Sequence, residues 1–407
     1  MEYKEKKISD VIDIIIDNRG KNPEKYSEFS KYPVIDNYLI KNDIFPDLNL
    51  VNRYLDKDSW DNFLRGYVIK NDVLITLVGN GIGNVTMVPN NQCAIIQNTI
   101  GLRCNELMYN KYLYYALKNE KNKIIKYNRG SSQPSIRKTD LLGHYILVPD
   151  LNYQKKVLNF LFGIDKKIET NNKIIANLEA QAQALFKYYF IDFEPFAGGN
   201  FIDSDLGPIP KGWEVSNLEK IANYKNGVAI KKFPPKDKDN SLPALKIREL
   251  NKNSTDESSD VVGNYIDESV KVYDGDVIFS WSGTLLVKIW TGGDAGLNQH
   301  LFKVTSEKYD KWFYYLWTLY HLEKFISIAR DKATTMGHIK RSHLKESKVL
   351  ICDEKTYKNA SDVINPIIDL IINLGIQNRT LAQARDALLP RLMAGEIDLE
   401  GLGGSYD

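Results

Sequence analysis

The sequence has few cysteines, no long apolar run and almost no net charge, and each shortage removes a class of protein. Cys93, Cys104 and Cys352 are odd in number and lack metal-ligand spacing. That pattern argues against a disulfide framework or a zinc site and for a reducing compartment. The opening MEYKEKKISD has no apolar core of a signal peptide, and the most apolar later stretch, residues 363–376, is broken by Asn365, Pro366, Asp369 and Asn373. No segment is therefore expected to target or span a membrane, and the expected location is the cytoplasm. The formal net charge is only +2. Any nucleic-acid surface must then come from local clusters of Lys and Arg rather than from a basic whole.

Catalytic signatures are missing too. No Walker A lysine loop occurs, so ATP hydrolysis is unsupported, and no Asn-Pro-Pro-aromatic motif of an adenine methyltransferase is present. Gly79, Asn80, Gly81, Ile82 and Gly83 have the outline of a dinucleotide loop, but Asn84 stands where a third glycine is needed. A turn that approaches DNA fits those residues better. Pro149 and Asp150 with Gln154 and Lys156 are too compressed for a nuclease site, and Asp150 reads as a helix cap. His144, His300, His321 and His343 show no metal spacing and are assigned structural roles. No metal ligand set is expected.

What is present is a large core's worth of residues, 407 in all with 43% hydrophobic and 26% charged, enough for two to four structural units. The region 154–190 organises them. Val157, Leu161, Ile164, Ile168, Asn171, Ile175, Leu178, Ala182, Leu185 and Tyr189 fall at alternating steps of four and three. A period near 3.5 sustained over several heptads predicts a coiled-coil helix. The same seam returns as Ala360, Ile364, Ile367, Ile371, Leu374, Asn378, Leu381, Arg385, Leu388 and Leu392, so the chain carries its own partner helix. Pro366 is the one blemish, and it is expected to make Asn365 a break or a cap.

The repeat extends beyond the helices. Gly275, Asp276, Val277, Ile278, Phe279 and Ser280 match residues 71–76, and Lys311, Trp312, Phe313, Tyr314 and Tyr315 match Lys111, Tyr112, Leu113, Tyr114 and Tyr115. Ile339 and Leu344 match Ile136 and Leu141, and residues 381–393 match 178–190. Four anchors in order, each displaced by about 200 residues, identify a duplication. Residues 71–76 read as a turn feeding a strand, 79–84 as a tight loop, 111–126 as a helix and 145–148 as a strand, while 8–16 fits helix or strand. The stretch 193–212, rich in Gly, Pro and Asp, reads as a connector. Loop residues differ between the repeats while the framework is kept, as expected of one scaffold holding two recognition surfaces.

Two polar seam residues decide the orientation of the helix pair. Parallel packing at the repeat displacement would set Asn171 against Leu374 and Ile175 against Asn378, leaving two buried amides without partners at about 1–3 kcal/mol each. Antiparallel packing with matched ends brings Asn171 and Asn378 within about one layer and Arg385 near Asp165. The antiparallel form is therefore expected, with pseudo-twofold symmetry and a recognition unit at each end of a rod. A helix of this kind, about 37 residues long, measures roughly 55 Å.

Three segments carry a family likeness: Tyr189, Phe190, Ile191, Asp192, Phe193, Glu194, Pro195; then Leu206, Gly207, Pro208, Ile209, Pro210, Lys211, Gly212, Trp213, Glu214, Val215; and Leu388, Leu389, Pro390, Arg391, Leu392, Met393, Ala394, Gly395, Glu396, Ile397. Together they make the whole chain resemble the specificity (S) subunit of type I restriction-modification systems. The resemblance implies an α+β fold, with two α/β target recognition domains in tandem repeat joined by two long antiparallel coiled-coil helices. The expected boundaries are 1–150 for the first recognition domain, 151–193 for the first long helix, 194–212 for the connector, 213–352 for the second recognition domain, 353–393 for the second long helix and 394–407 for a C-terminal tail. It further implies a non-catalytic subunit that reads a bipartite site on double-stranded DNA, docks two modification subunits and joins restriction subunits through them. S-adenosylmethionine is then expected on the modification partner, with ATP and Mg on the restriction partner and no cofactor on this chain. A coiled-coil scaffold that reads no DNA is the alternative, and similarly placed basic loops in both repeats argue against it.

Phosphate contacts are expected from Lys121, Lys123, Lys126, Arg129 and Arg137 in the first repeat, and from Lys332, Lys340, Arg341 and Lys345 in the second. A solvated helix face is the competing account of each. Base reading needs bidentate or hydroxyl groups, and the candidates are Arg19, Asn80, Asn84, Ser131, Ser132 and Gln133, then Arg248, Ser282, Thr284, Thr334, Thr335 and His338. The run Trp312, Phe313, Tyr314, Tyr315, Trp317 and Tyr320 reads as helix core rather than a base-stacking platform, because the repeat keeps it as framework.

Overall fold

The computed structural model describes residues 3–21, 23–41, 43–237, 240–331, 337–397 and 399. The chain divides into two compact units, one formed by Met1–Lys166 with Ala382–Asp407 and the other by Lys167–Leu381. Among the described residues no helix is long and apolar enough to cross a membrane.

In the first unit, Asn71 takes a left-handed φ of 71° and turns the chain into the strand Val73–Thr76, whose four side chains are all buried. That strand lies inside an antiparallel sheet ordered Ile12–Ile16, Thr99–Cys104, Val73–Thr76, Val85–Met87. Residues 8–16 thus resolve into a short 3-10 turn, Ile8–Val11, followed by a strand. A second ribbon pairs Lys4–Lys7 with Tyr145–Val148. The helix Asn110–Ile124 covers the sheet with Tyr112, Leu113, Tyr114, Tyr115 and Leu117, all buried.

The second unit repeats this plan strand for strand: Asn223–Asn226, Leu301–Thr305, Val277–Ser280, Leu286–Ile289, with Glu214–Asn217 paired to Lys348–Ile351. Gly275 stands where the first unit has Asn71, with a φ of 88° that an L side chain rarely adopts. Equivalence reaches the ion pairs. Asp72 accepts from the Ile69 amide and binds Arg103 at 2.8 Å, and Asp276 accepts from the Tyr273 amide and binds Lys303 at 2.8 Å. This unit adds a second four-stranded sheet, Val261–Gly263, Ser241–Leu245, Ala295–Leu297, Lys271–Val272, with a core around Trp290. Trp312, Phe313, Tyr314, Tyr315 and Trp317 on the helix Lys311–Tyr320 are buried, whereas Tyr320 at its end is exposed.

The long helices are Leu151–Phe190 and Glu354–Met393. Asp150 caps the first by accepting from the Tyr153 amide at 2.9 Å, and Asp353 caps the second by accepting from the Thr356 amide at 3.0 Å. Every seam position of both helices is buried or half-buried. In the first unit Asp165 pairs with Arg385, and the Tyr153 hydroxyl donates to the Leu392 carbonyl. In the second unit Asn171 meets Asn378, while Ala182 and Phe186 share a core with Ala360, Ile364 and Ile368. Contacts descending on one helix as they ascend on the other make the pairing antiparallel within each unit.

Pro366 corrects one expectation: the second helix runs through it, and Asn365 is neither break nor cap. A mid-helix proline costs about 3 kcal/mol, and packing on both sides outweighs it. Ile364, Ile368 and Ile371 are buried, the Ser361 hydroxyl donates to Asp310 at 3.0 Å, and the Asn365 amide donates to the same carboxylate at 3.3 Å. The connector holds a short hairpin, Phe201–Ile202 with Ile209–Pro210, and Phe193 and Phe196 pack edge-on against Trp213.

Candidate nucleic-acid interface

At the end of the first unit's sheet where Thr76 faces Thr99, two loops are laced together by backbone bonds. Gly79 donates to the Pro134 carbonyl at 2.8 Å, Ile136 donates to Leu77 at 2.8 Å, and Val78 bridges Ser135. The second unit laces its own pair in the same way. Gly283 donates to the Gly337 carbonyl at 2.9 Å, Ile339 donates to Trp281 at 3.1 Å, and Ser282 bridges His338. The tips are thus held by main-chain atoms, which leaves side chains free to differ without loss of the frame.

The first tip opens on two adjoining depressions of about 510 and 400 Å³ that share Asn37, Tyr38 and Asn98. Seven carboxamides line them: Asn37, Asn52, Asn80, Asn84, Gln97, Asn98 and Gln133. Ser132, Lys41 and the pair Asp36–Arg53 complete the walls. Among the described residues no protein hydrogen bond engages the side-chain amides of Asn37, Asn80, Asn98 or Gln133. Carboxamides carry a donor and an acceptor side by side, the arrangement that meets a purine edge bidentately.

Several of the expected base and phosphate contacts also have partners within the protein. Asn84 donates to the Ile40 carbonyl at 2.9 Å and accepts from Lys121 at 2.7 Å, so it holds its loop. Arg19 grips Asp17 through Nε and Nη2, both at 2.8 Å, and this guanidinium holds the Asp17 carboxyl down to about 2. Arg129 pairs with Asp140 at 3.0 Å, and Lys123 with Glu120 at 3.0 Å. Arg248 bonds Glu249 and the Ser258 carbonyl. Arg341 donates to the Tyr224 carbonyl at 2.8 Å and lies over the Phe302 ring. Ser282 is buried. These partners hold the side chains in place, while Arg129, Lys123 and Arg248 keep about half or more of their surface exposed.

Ser131, Ser132, Gln133, Lys126 and Arg137 in the first unit, and Thr284, His338, Lys340 and Lys345 in the second, are exposed. Lys332, Thr334 and Thr335 lie outside the described residues. The second tip differs in chemistry: Trp281 stands against His300 and His338 at ring distances of 6.0 and 6.4 Å, beside Thr284. Sequence reasoning missed Asn37, Tyr38, Asn52, Gln97 and Asn98. A signal existed for the last two, a polar pair directly after the buried run 93–96, with Asn98 at a left-handed φ of 63°.

Comparison with known proteins agrees with the repeated plan. The family model for the type I restriction modification DNA specificity domain matches residues 1–180 and 210–379. The MjaIX specificity subunit of Methanocaldococcus jannaschii is 30% identical over 303 residues, covering 72% of this chain and 70% of that protein. The HindI specificity subunit of Haemophilus influenzae is 21% identical over 400 residues, covering 81% and 87%. The crystal structure of the type I S subunit from M. genitalium shares the fold, with a TM-score of 0.55 at 14% identity over 96% of each chain. With two matched segments spanning most of its length and a duplicated frame behind them, the chain belongs to the type I restriction-modification DNA specificity family.

Proposed function

We propose that this specificity subunit reads a bipartite site on double-stranded DNA, one half-site per repeat, and carries no catalytic step itself. The observation that supports this reading is the repeated pair of laced loops with unlike side chains, carboxamides in one and Trp281, Thr284 and His338 in the other. Equal frames with different edge chemistry fit two different short sequences read by one chain. Exposed cations beside the tips, Lys126 and Arg137 in the first and Lys340 and Lys345 in the second, would supply phosphate contacts. In this reading the long helices dock two modification subunits, which bring S-adenosylmethionine, and restriction subunits join through them with ATP and Mg, all in the cytoplasm.

An electrophoretic shift assay with the purified full chain tests recognition, using duplexes whose sequences come from a methylation map of the source strain. Specific duplex is expected to bind more tightly than scrambled duplex, with an affinity that falls steeply with salt. Equal binding to both would favour a scaffold over a reader. Methyl transfer by the purified chain alone would show that it is an enzyme after all.

A further inference from the structure

One side chain, two residue contacts away from the carboxamide groove, is exposed far beyond what the fold needs. Phe29 is 85% exposed, far more than any other large apolar side chain described, the next being Leu50 and Tyr265 at 52%. Its loop is pinned on both sides. Ser27 exchanges two backbone bonds with Tyr54 at 2.9 and 3.1 Å, and the Ser30 hydroxyl donates to the Leu55 carbonyl at 2.6 Å while accepting from the Tyr32 amide at 3.0 Å. The ring is therefore held out into solvent by a fixed turn. An apolar side chain presented this way gives up nearly all of its burial for one tilted ring contact with Tyr54.

Tyr54 links the position to the groove. Phe29 leans on Tyr54 at 5.7 Å, and Tyr54 is followed back along the chain by Arg53 and Asn52, which line the second depression. Arg53 is clamped by Asp36 and lies over the Tyr26 ring at 4.6 Å. Lys25 and Lys31 are exposed beside the loop, as are Glu24 and Glu28. Apolar side chains such as Phe are the wedges that DNA-bending proteins insert between base steps.

We propose that Phe29 is a stacking wedge, which inserts against a base step at the border of the half-site read by the first repeat. The proposal rests on the reading of that repeat as a DNA reader. Bases offer π-faces of any sequence, so the contact adds affinity and local unstacking rather than base choice. The carboxamides of Asn37, Asn80 and Gln133 would then meet base edges next to the opened step.

The test uses the full chain, alone and co-expressed with its modification subunit, and duplexes carrying 2-aminopurine at successive positions of the first half-site and its flank. Wild-type protein is expected to raise fluorescence at one step besides the base that the modification subunit flips. Phe29→Ala is expected to abolish that rise and weaken binding about tenfold, while Phe29→Trp keeps both and all three share one melting temperature. Three results overturn the wedge: no such step brightens with bound wild-type protein, Phe29→Ala brightens the same step, or Phe29→Ala binds DNA normally but loses its modification subunit. The last would make Phe29 a protein contact. If wild-type protein fails to bind duplex in either form, the reading of the repeat as a DNA reader falls together with the wedge.

Discussion

The side-chain amide of Asn171 donates to the Asn378 carbonyl at 2.9 Å and to Gln377 at 2.7 Å, while Asn378 donates to Asn172 at 2.8 Å. Asn171 is fully buried in a mostly apolar seam, so these bonds fix which layer of one helix meets which layer of the other. Asn171→Leu strands the amides of the second helix and is expected to cost about 1–3 kcal/mol. Adding Asn378→Leu removes the mismatch. Thermal denaturation should show the single change below wild type and the double change recovering most of the loss, with register specificity relaxed. A single change without effect on melting would show that the polar layer does not set the register.

Arg385 is the third polar member of the seam, and it pairs with buried Asp165, which also accepts from the Tyr115 hydroxyl at 2.5 Å. The equivalent seam positions of the other repeat are Ala182 and Ile368, both buried and apolar. One frame therefore contains an ionic and an apolar solution to the same contact. Arg385→Ala leaves the carboxylate buried without its partner and is expected to cost about 3–5 kcal/mol. Arg385→Ala with Asp165→Ile copies the other repeat and should recover most of that loss in urea denaturation. A double variant as unstable as the single would mean that the ion pair itself stabilises the first unit.

His321 gives the second unit an acid dependence. Burial among Trp317 and Phe325 lowers its pKa below the ordinary 6.5, although its Nε2 bonds the Lys348 carbonyl at 2.8 Å. Below pH 6.5 the unfolded chain takes up a proton that the folded chain refuses, so stability is complete above 6.5 and declines as pH falls toward the folded value. His321→Gln keeps a donor for the Lys348 carbonyl and removes the titration. Melting temperatures from pH 7.5 to 5 should fall less in the variant than in wild type. Parallel curves would assign the acid loss to other groups.

Periodicity made the helices legible, because burial of a 3.5-repeat face leaves its mark at every turn, and the polar seam residues carried their orientation as well. Turn chemistry marked the repeated strands through Asn71 and Gly275. Tertiary compensation was not legible. Pro366 reads as a break until Asp310 and the flanking isoleucines are in place, and the helical pattern gives no role to Gly375. In the fold a Cβ there would lie 2.4 Å from Thr291 Oγ1, so only glycine admits the contact. The candidate interface was half legible. Asn80, Ser132 and Gln133 stand in loops whose composition announces them, whereas Asn37, Tyr38 and Asn52 reach the groove from segments distant in sequence. The internal partners of Arg19, Arg248 and Arg341, namely Asp17, Glu249 and the Tyr224 carbonyl, are invisible until the chain folds.

If each repeat reads one half-site, base identity and spacing should separate under mutation. Exchanging residues 1–150 for those of a relative is expected to change one half of the recognised sequence and leave the other, because each tip is laced by backbone bonds between loops of its own unit. Adding seven residues in phase to both long helices lengthens each by about 10 Å, two turns. That is the rise of roughly three base pairs, so the half-sites should move apart with their sequences unchanged. A methylation-site map of each chimera reads both outcomes at once. The division of labour fails if the exchange rewrites both halves. It fails equally if the insertion leaves the spacing as it was while methylation continues, since the helices would then have no part in setting the distance between half-sites.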